Sequence, residues 1–401
     1  FGHNAIRVLD TRTGRDLSYN WGIFDFDQVD FVPRFLKGQM LYMMAAVPTA
    51  PMLDSYLRAG RRITLQELAL TPAQRAGLHE FLTWNALPEN RDYRYDYFLD
   101  NCSTRARDAL DGVLGGALEA RFGAAGTGTS YRFHTRRLTR MDPALFTGMD
   151  LLLGSPGDRP ITLWEEMFLP MTLMEEVRGV TVTGPDGAER ALVAHEEVLL
   201  PPGSEGRETA GADPGMPDSS AAAGSDAGHP WGPPTPPSWL LAYLALGLAL
   251  GGAMAWTGAR AAGATRSADH HPGGNGAAQD RAVRMVGAGL AAIWSMAAGL
   301  VGTVLVLVLF TDHQFMAWNE NLFLFTPLSG ALAVVAPAAL AGRTGVRAAR
   351  WLGWAVAGIA VFGLLIQLLP WSRQENAIFF ALALPVHLGL AWALERRAAA
   401  S

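Results

Sequence analysis

The sequence predicts an α+β domain followed by an all-α bundle of about five transmembrane helices. Half of the 401 residues are apolar, and they are distributed unevenly. Charges occur throughout the chain up to about residue 200, whereas beyond Ser238 long Leu, Ala, Val and Gly runs alternate with short polar links. A Pro-, Gly- and Ser-rich stretch separates the halves. We therefore predict a folded domain over 1–200, a flexible linker over 201–238 and a membrane domain over 239–397.

The N-terminal sequence predicts a β-hairpin. "HNAIRVLD" alternates apolar and polar residues as a strand does, "TRTGR" supplies a turn, and "DLSYNWGIFDF" continues as a second strand. This pairing places His3 near Tyr19, Asn20 or Trp21 across the ladder.

Two helices are predicted farther along the domain. Thr71 is a suitable cap, and Pro72 fits the first position of a helix over "TPAQRAGLHEFLTWNAL". "YRYDYFLDN" is typical of a strand, and "STRARDALDGVL" of a helix. Cys102, the only cysteine, lies where this strand gives way to this helix.

The membrane domain contains five apolar segments, each near the roughly 20 residues that cross a bilayer. They cover 239–256, 285–310, 326–340, 351–369 and 377–394, and the third is short enough to be re-entrant. Arginines concentrate in the links after the first and third segments and in the C-terminal tail. Because Arg-rich links stay in the cytoplasm, we expect a cytoplasmic C terminus and an N-terminal domain on the outer side.

Composition narrows the function classes. A net charge of −5 without a long basic tract argues against a nucleic-acid partner. A single cysteine excludes an intrachain disulfide and leaves a buried or a reactive thiol. We find no phosphate loop or dinucleotide fingerprint. Since the chain starts at Phe1 without a leader, we also expect a truncated or processed N terminus.

The position of Cys102 has a chemical meaning. Free backbone N–H groups and the helix dipole at a helix N terminus favour a thiolate and can hold an oxyanion. His3 is a candidate base if a polar neighbour such as Asn20 orients its ring. A buried small residue and an ordinary histidine explain the same positions, and position alone leaves both interpretations open.

"FGHNAIRV", "YNWGIFDF" and "LDNCSTRARD", in this order, resemble the circularly permuted papain-like group related to NlpC/P60 proteins and to lecithin:retinol acyltransferase. With "LWEEMFLP" and a multi-helix membrane tail, the chain looks like the Lnb family, which is implicated in bacterial lipoprotein N-acylation. The resemblance implies a periplasmic papain-like domain tethered to the bacterial inner membrane. It implies Cys102 as nucleophile and His3 as base. Asn20 is our choice of orienting residue, with Tyr19 as the second choice, because the second histidine of many relatives is absent here.

The implied reaction moves an acyl chain from a membrane phospholipid, through a Cys102 thioester, to the N-terminal amine of a lipoprotein, and it requires neither a metal nor an organic cofactor. Substrate-binding candidates are Tyr19 in the second strand, Asn101 and Ser103 beside the nucleophile and, in an outer link, Trp318, Asn319 and Asn321. A cell-wall peptidase or amidase of the NlpC/P60 type and a non-catalytic membrane assembly module are the alternatives. The oligomeric state does not follow from the sequence.

Overall fold

The computed structural model describes residues 2–184, 187–201, 236–268, 276–343, 345–372 and 374–400. The chain forms two compact units. The first comprises Phe1–Thr129 and Pro160–Thr235, and the second comprises Ser130–Arg159 and Pro236–Ser401. Most of the predicted linker, 202–235, lies outside the described residues. The second unit thus groups Ser130–Arg159 with the membrane helices.

The first unit combines short strands with helices, and the second is helical. In chain order the elements are β1 (Ala5–Asp10), β2 (Arg15–Phe24), α1 (Phe31–Lys37), β3 (Leu41–Pro48), α2 (Thr49–Arg58), β4 (Ile63–Leu68), α3 (Pro72–Asn85), β5 (Asp92–Arg94), α4 (Cys102–Val113), α5 (Ala117–Phe122), β6 (Gly126–Ser130), α6 (Tyr131–Thr139), α7 (Pro143–Leu152), β7 (Pro160–Thr162), α8 (Leu163–Glu166), α9 (Pro170–Arg178), β8 (Thr181–Thr183), β9 (Glu189–Ala191), β10 (Val193–Leu199), α10 (Leu240–Ala268), α11 (Gly276–Val308), α12 (Leu328–Leu340), α13 (Val346–Ile366) and α14 (Ala377–Ala398).

A four-stranded sheet in the order β1-β2-β3-β5 organises the first unit. The predicted hairpin is confirmed, since β1 and β2 pair antiparallel with Ala5 opposite Asn20. The predicted strand over "YRYDYFLDN" is wrong beyond Arg94. There the Asp96 carboxylate accepts backbone N–H groups from Phe98 and Leu99, so the chain turns instead of extending.

The two predicted helices are confirmed as α3 and α4. Thr71 and Gln74 form a reciprocal capping box at the start of α3. Helix α4 buries Ala106 and Leu110 against a core that contains Trp21 from β2 and Leu82 from α3. Packing against this core fixes the N terminus of α4 beside the β1-β2 hairpin.

Five helical stretches among the described residues are long and apolar enough to cross a membrane. The third candidate span, Glu320–Leu340, joins a short 3-10 turn to α12 and reaches 21 residues. Helices α10 and α14 pack closely because glycines face backbone. A Cβ on Gly251 would lie 2.2 Å from the Pro385 carbonyl oxygen, and one on Gly389 would lie 2.2 Å from the carbonyl oxygen of Gly251. Small residues at such contacts let membrane helices approach and gain dispersion energy.

A buried ion cluster forms within Ser130–Arg159. The Arg132 side chain is fully buried and donates to the carboxylates of Asp150 at 2.8 Å and of Asp158 at 2.6 and 3.0 Å. It also donates to the carbonyl oxygen of Leu153 at 2.7 Å. Arg136 is a second cation in this cluster. Its Nε donates to the Asp150 carboxylate at 2.8 Å, and its Nη1 donates to the Glu375 carboxylate at 2.8 Å. Each buried charge therefore faces an opposite charge, as burial of ions requires.

Candidate active site

Cys102 is the first residue of α4, and Asn101 caps that helix. The Asn101 side-chain oxygen accepts the backbone N–H groups of Ser103 at 2.7 Å and of Thr104 at 3.0 Å. Its amide group donates to the carbonyl oxygens of Tyr97 and Phe168, which fixes the cap in the core. The Asn101 cap does not use the backbone N–H of Cys102, and this N–H contacts the Cys102 thiol. The nucleophile candidate thus lies at the positive end of a helix dipole.

His3 lies beside Cys102 and shares a hydrogen bond with its thiol. The other side of the ring faces Asn20, with Nε2 3.0 Å from the side-chain oxygen. The Asn20 amide nitrogen donates to the Ser18 carbonyl oxygen at 3.0 Å, and this bond fixes which way the amide points. Because an amide oxygen only accepts, Nε2 must carry a proton. In neutral His3 the lone pair is therefore on Nδ1, available to the thiol proton.

The environment shifts the pKa of the Cys102 thiol and the pKa of the His3 imidazole in opposite directions. Burial alone raises the pKa of the Cys102 thiol. The hydrogen bond and charge of His3 lower it, and so do the backbone N–H groups of Asn4 and Cys102. The net pKa of the thiol lies below its ordinary value. Desolvation lowers the pKa of His3, whereas Cys102 and the Asn20 hydrogen bond raise it, and the net shift is upward. Both shifts favour a thiolate-imidazolium pair. The exposed side of His3 and the half-buried thiol leave this pair accessible to a reactant.

A β-bulge in β2 lies beside Cys102. The pairing of β2 with β3 shifts by one residue between Asn20 and Ile23. Gly22, within this bulge, has a φ of +87°, and a Cβ there would lie 3.8 Å from the Cβ of Cys102. Bulges often reposition side chains next to functional sites. Here the glycine satisfies a left-handed backbone and keeps any side chain away from Cys102.

Asn4 belongs to this site, although the sequence analysis did not select it. Its backbone N–H contacts the Cys102 thiol. Its side-chain amide donates to Ser103 Oγ at 3.1 Å, and Ser103 Oγ donates to the Met167 carbonyl oxygen at 2.6 Å. Asn4 thereby fixes the start of the hairpin to the first turn of α4. Its place directly after His3 was the available signal.

The structure brings His3, Asn20 and Cys102 together, as the sequence analysis expected. Tyr19 is buried in the core of the first unit. Asn101 and Ser103 are buried in hydrogen bonds beside the nucleophile. The substrate roles given to these residues stay predictions.

Three further candidates, Trp318, Asn319 and Asn321, lie in the second unit. Trp318 is exposed and has a φ of 51°. Asn319 and Asn321 are buried, and both donate to the Leu151 carbonyl oxygen, at 2.9 and 3.0 Å. Their amides thus hold the end of α7, and a contact with lipid head groups stays a prediction. Within the described residues no group of three or more His, Cys, Asp or Glu side chains could hold a metal ion.

Two family models match this chain, one in each half. Residues 1–138 match the family model described as the Lnb N-terminal periplasmic domain, and residues 280–398 match the one described as the Lnb transmembrane domain. No curated protein and no solved structure gave a significant match. The two matches, in this order along one chain and together with five candidate membrane spans, support a membrane protein of the Lnb family.

Proposed function

We propose that this protein is a membrane-bound cysteine acyltransferase that moves an acyl chain from a phospholipid to the N-terminal amine of a bacterial lipoprotein. The arrangement of His3 between Cys102 and Asn20 is the observation that carries the proposal. A nucleophile, a base and a residue that orients the base form the minimum set for two-step acyl transfer. We further propose that the N-terminal domain is permuted papain-like and that the C terminus is cytoplasmic.

In the first step, the Cys102 thiolate attacks the ester carbonyl carbon of the phospholipid. The carbonyl electrons move to oxygen, where the backbone N–H of Cys102 stabilises the oxyanion. The ester C–O bond then breaks, and the His3 imidazolium gives its Nδ1 proton to the departing lysophospholipid oxygen. The acyl chain remains on Sγ as a thioester.

In the second step, the free α-amino group of the lipidated cysteine of a lipoprotein attacks the thioester. His3, now neutral, accepts a proton from the amine as the C–N bond forms. The C–S bond breaks, and the products are an N-acylated lipoprotein and the Cys102 thiolate beside a protonated His3. The cycle consumes one ester and one amine and returns one alcohol and one amide, so no redox partner is needed.

The five candidate spans favour a lipid substrate over the cell-wall peptide of the NlpC/P60 alternative. Both proposed substrates are embedded in the bilayer by acyl chains, and a tethered domain meets them in two dimensions. A peptidase would use the same Cys102 and His3 but would gain little from five membrane helices.

Mass spectrometry of a lipoprotein N-terminal peptide tests the proposal. An acylation-deficient bacterial host expresses the protein, either unaltered or as Cys102→Ala. We expect an N-acyl chain only with the unaltered protein. A free amine despite good expression contradicts the proposal, and assay of peptidoglycan fragments in the same strains then tests the peptidase. Equal acylation by both proteins contradicts a thioester mechanism.

A further inference from the structure

An exposed apolar surface lies on helix α1 and the segment just before it, between β2 and β3 in the chain. It is formed by five residues that are each between 58% and 79% exposed, namely Phe26, Val29, Val32, Phe35 and Leu36. We call these five residues the α1 surface. Large contiguous apolar patches on a folded domain mark sites that contact a protein, a ligand or a membrane.

The backbone holds this surface in one shape. Helix α1 is bracketed by two left-handed residues, Asp30 with a φ of 58° and Gly38 with a φ of 71°. Behind the exposed residues, the ring of Phe31 lies 5.8 Å from that of Phe24 and 6.4 Å from that of Phe35. The surface is therefore built on packed aromatic rings rather than on an isolated loop.

Aromatic contacts connect the α1 surface to Cys102. The ring of Phe24 lies 4.9 Å from that of Tyr42, and Tyr42 stacks on Tyr95 at 4.1 Å. Tyr42, Tyr95 and Cys102 all pack against the same core cluster. Burial raises the pKa of Tyr95, and the charge of Cys102 raises it further. A row of aromatic rings thus runs from the surface to the core cluster on which the nucleophile candidate packs.

The charges around the α1 surface have both signs. Arg34 and Lys37 lie on the helix itself, and Asp25, Asp27 and Asp30 precede it. A mixed ring of cations and carboxylates complements a zwitterionic head group, whose phosphate faces cations and whose ammonium faces carboxylates. The same chain carries five candidate membrane spans, so a bilayer lies within reach of this domain. Apolar side chains rimmed by charges are the pattern of interfacial membrane binding.

We propose that the α1 surface inserts into the outer leaflet of the bilayer and takes the acyl chain of the donor phospholipid toward Cys102 along the Phe24, Tyr42 and Tyr95 rings. The delivery of the acyl chain to Cys102 rests on the proposed function, whereas the insertion of the α1 surface into a bilayer does not. The source of the substrate is then the leaflet itself rather than a soluble lipid carrier.

Lipid-dependent fluorescence quenching tests the insertion. Cys102→Ser gives a chain without cysteine, and Val32→Cys in that chain carries an environment-sensitive fluorophore. Arg12→Cys, in the exposed β1-β2 turn, is the matched control. The full chain is placed in phosphatidylethanolamine nanodiscs with and without a lipid that carries a nitroxide on its acyl chain. We expect the fluorophore at position 32 to be quenched at least threefold more than the one at position 12.

Equal quenching at positions 32 and 12 would overturn the proposal. Shielding of position 32 from water without quenching by the labelled lipid would also overturn it, because a second copy or another protein would then cover the surface. Since these variants lack the thiol, the result does not depend on acyltransferase activity, and quenching without any acyl transfer by the unaltered chain would refute only the proposed function.

Turnover measurements test whether the α1 surface takes the acyl chain of the donor toward Cys102. The triple variant Phe26→Ser, Val32→Ser, Leu36→Ser is compared with the unaltered chain on a bilayer phospholipid and on a short-chain, water-soluble thioester donor. We expect kcat/KM for the bilayer donor to fall at least tenfold more than kcat/KM for the soluble donor. An equal fall for both donors would contradict the role of the surface in donor entry.

Discussion

The Cys102 site of the first unit and the Arg132 cluster of the second unit both bring ionisable side chains together, yet they differ in exposure and in partners. Arg132 is fully buried, and each of its nitrogens donates to a carboxylate or a carbonyl oxygen. His3 is exposed on one side, and the half-buried thiol beside it is contacted by this imidazole and by backbone N–H groups. A buried ion with all its hydrogen bonds made is stable and inert. An accessible pair with a lowered thiol pKa is prepared for nucleophilic attack.

Exchange of His3 for alanine is the strongest test of this contrast. We expect His3→Ala to lower the rate of acyl transfer by about 10²- to 10⁴-fold, the usual contribution of a general base. The melting temperature should stay close to that of the unaltered chain, since the ring is exposed. Single-turnover formation of the acyl-enzyme, followed by mass spectrometry, gives the rate. A rate within threefold of the unaltered chain would exclude His3 as the base.

Exchange of Arg132 for methionine should act on stability instead. Arg132→Met leaves Asp150 and Asp158 buried without this cation, which costs about 3–5 kcal/mol of unfolding free energy. The matched control is Arg58→Met, which breaks an exposed ion pair with Asp54 and should cost less than about 1 kcal/mol. Denaturation in detergent measures both. Equal losses for the two variants would show that burial of the Arg132 cluster does not set its contribution.

Asn20 should have a smaller, positioning effect. Asn20→Ala removes the acceptor of His3 Nε2, and we expect a fall in rate of about 10- to 100-fold, less than the loss of the base itself. Since the Asn20 bond raises the pKa of His3, the alkaline limb of the rate profile should move to lower pH. Asn85→Ala, which removes the buried acceptor of Trp21 Nε1, is the control. It should lower the melting temperature and leave the pH profile in place.

The smallest effect concerns the thiol alone. Because Cys102 is the only cysteine, the rate of alkylation by iodoacetamide reports its ionisation without any substrate. A lowered thiol pKa means that thiolate persists below about pH 8.5, the ordinary midpoint, and is lost as the pH falls through the lowered value. His3→Ala should raise the pKa of the Cys102 thiol. At a pH below that pKa, each unit of increase lowers the thiolate fraction about tenfold. An unchanged midpoint would contradict the His3 contribution.

The sequence alone determined the local elements and the membrane layout. The β1-β2 hairpin, the Thr71 cap and the start of α4 at Cys102 follow from residue spacing within each element, and the five apolar segments follow from length. The contact of His3 with Asn20 follows from hairpin pairing, because a two-stranded register brings distant residues opposite each other.

Only the tertiary structure decided the remaining arrangement. The segment Ser130–Arg159 belongs to the second unit because Arg136 bonds to Glu375 and Asn319 bonds to the Leu151 carbonyl oxygen, and these partners are far apart in sequence. The Asn4 contact with α4, the Gly22 bulge beside Cys102 and the exposure of the α1 surface are likewise set by which elements pack together. Sequence periodicity reports which face of an element is apolar, but the partner that covers this face, or leaves it open, is chosen by packing across the whole fold.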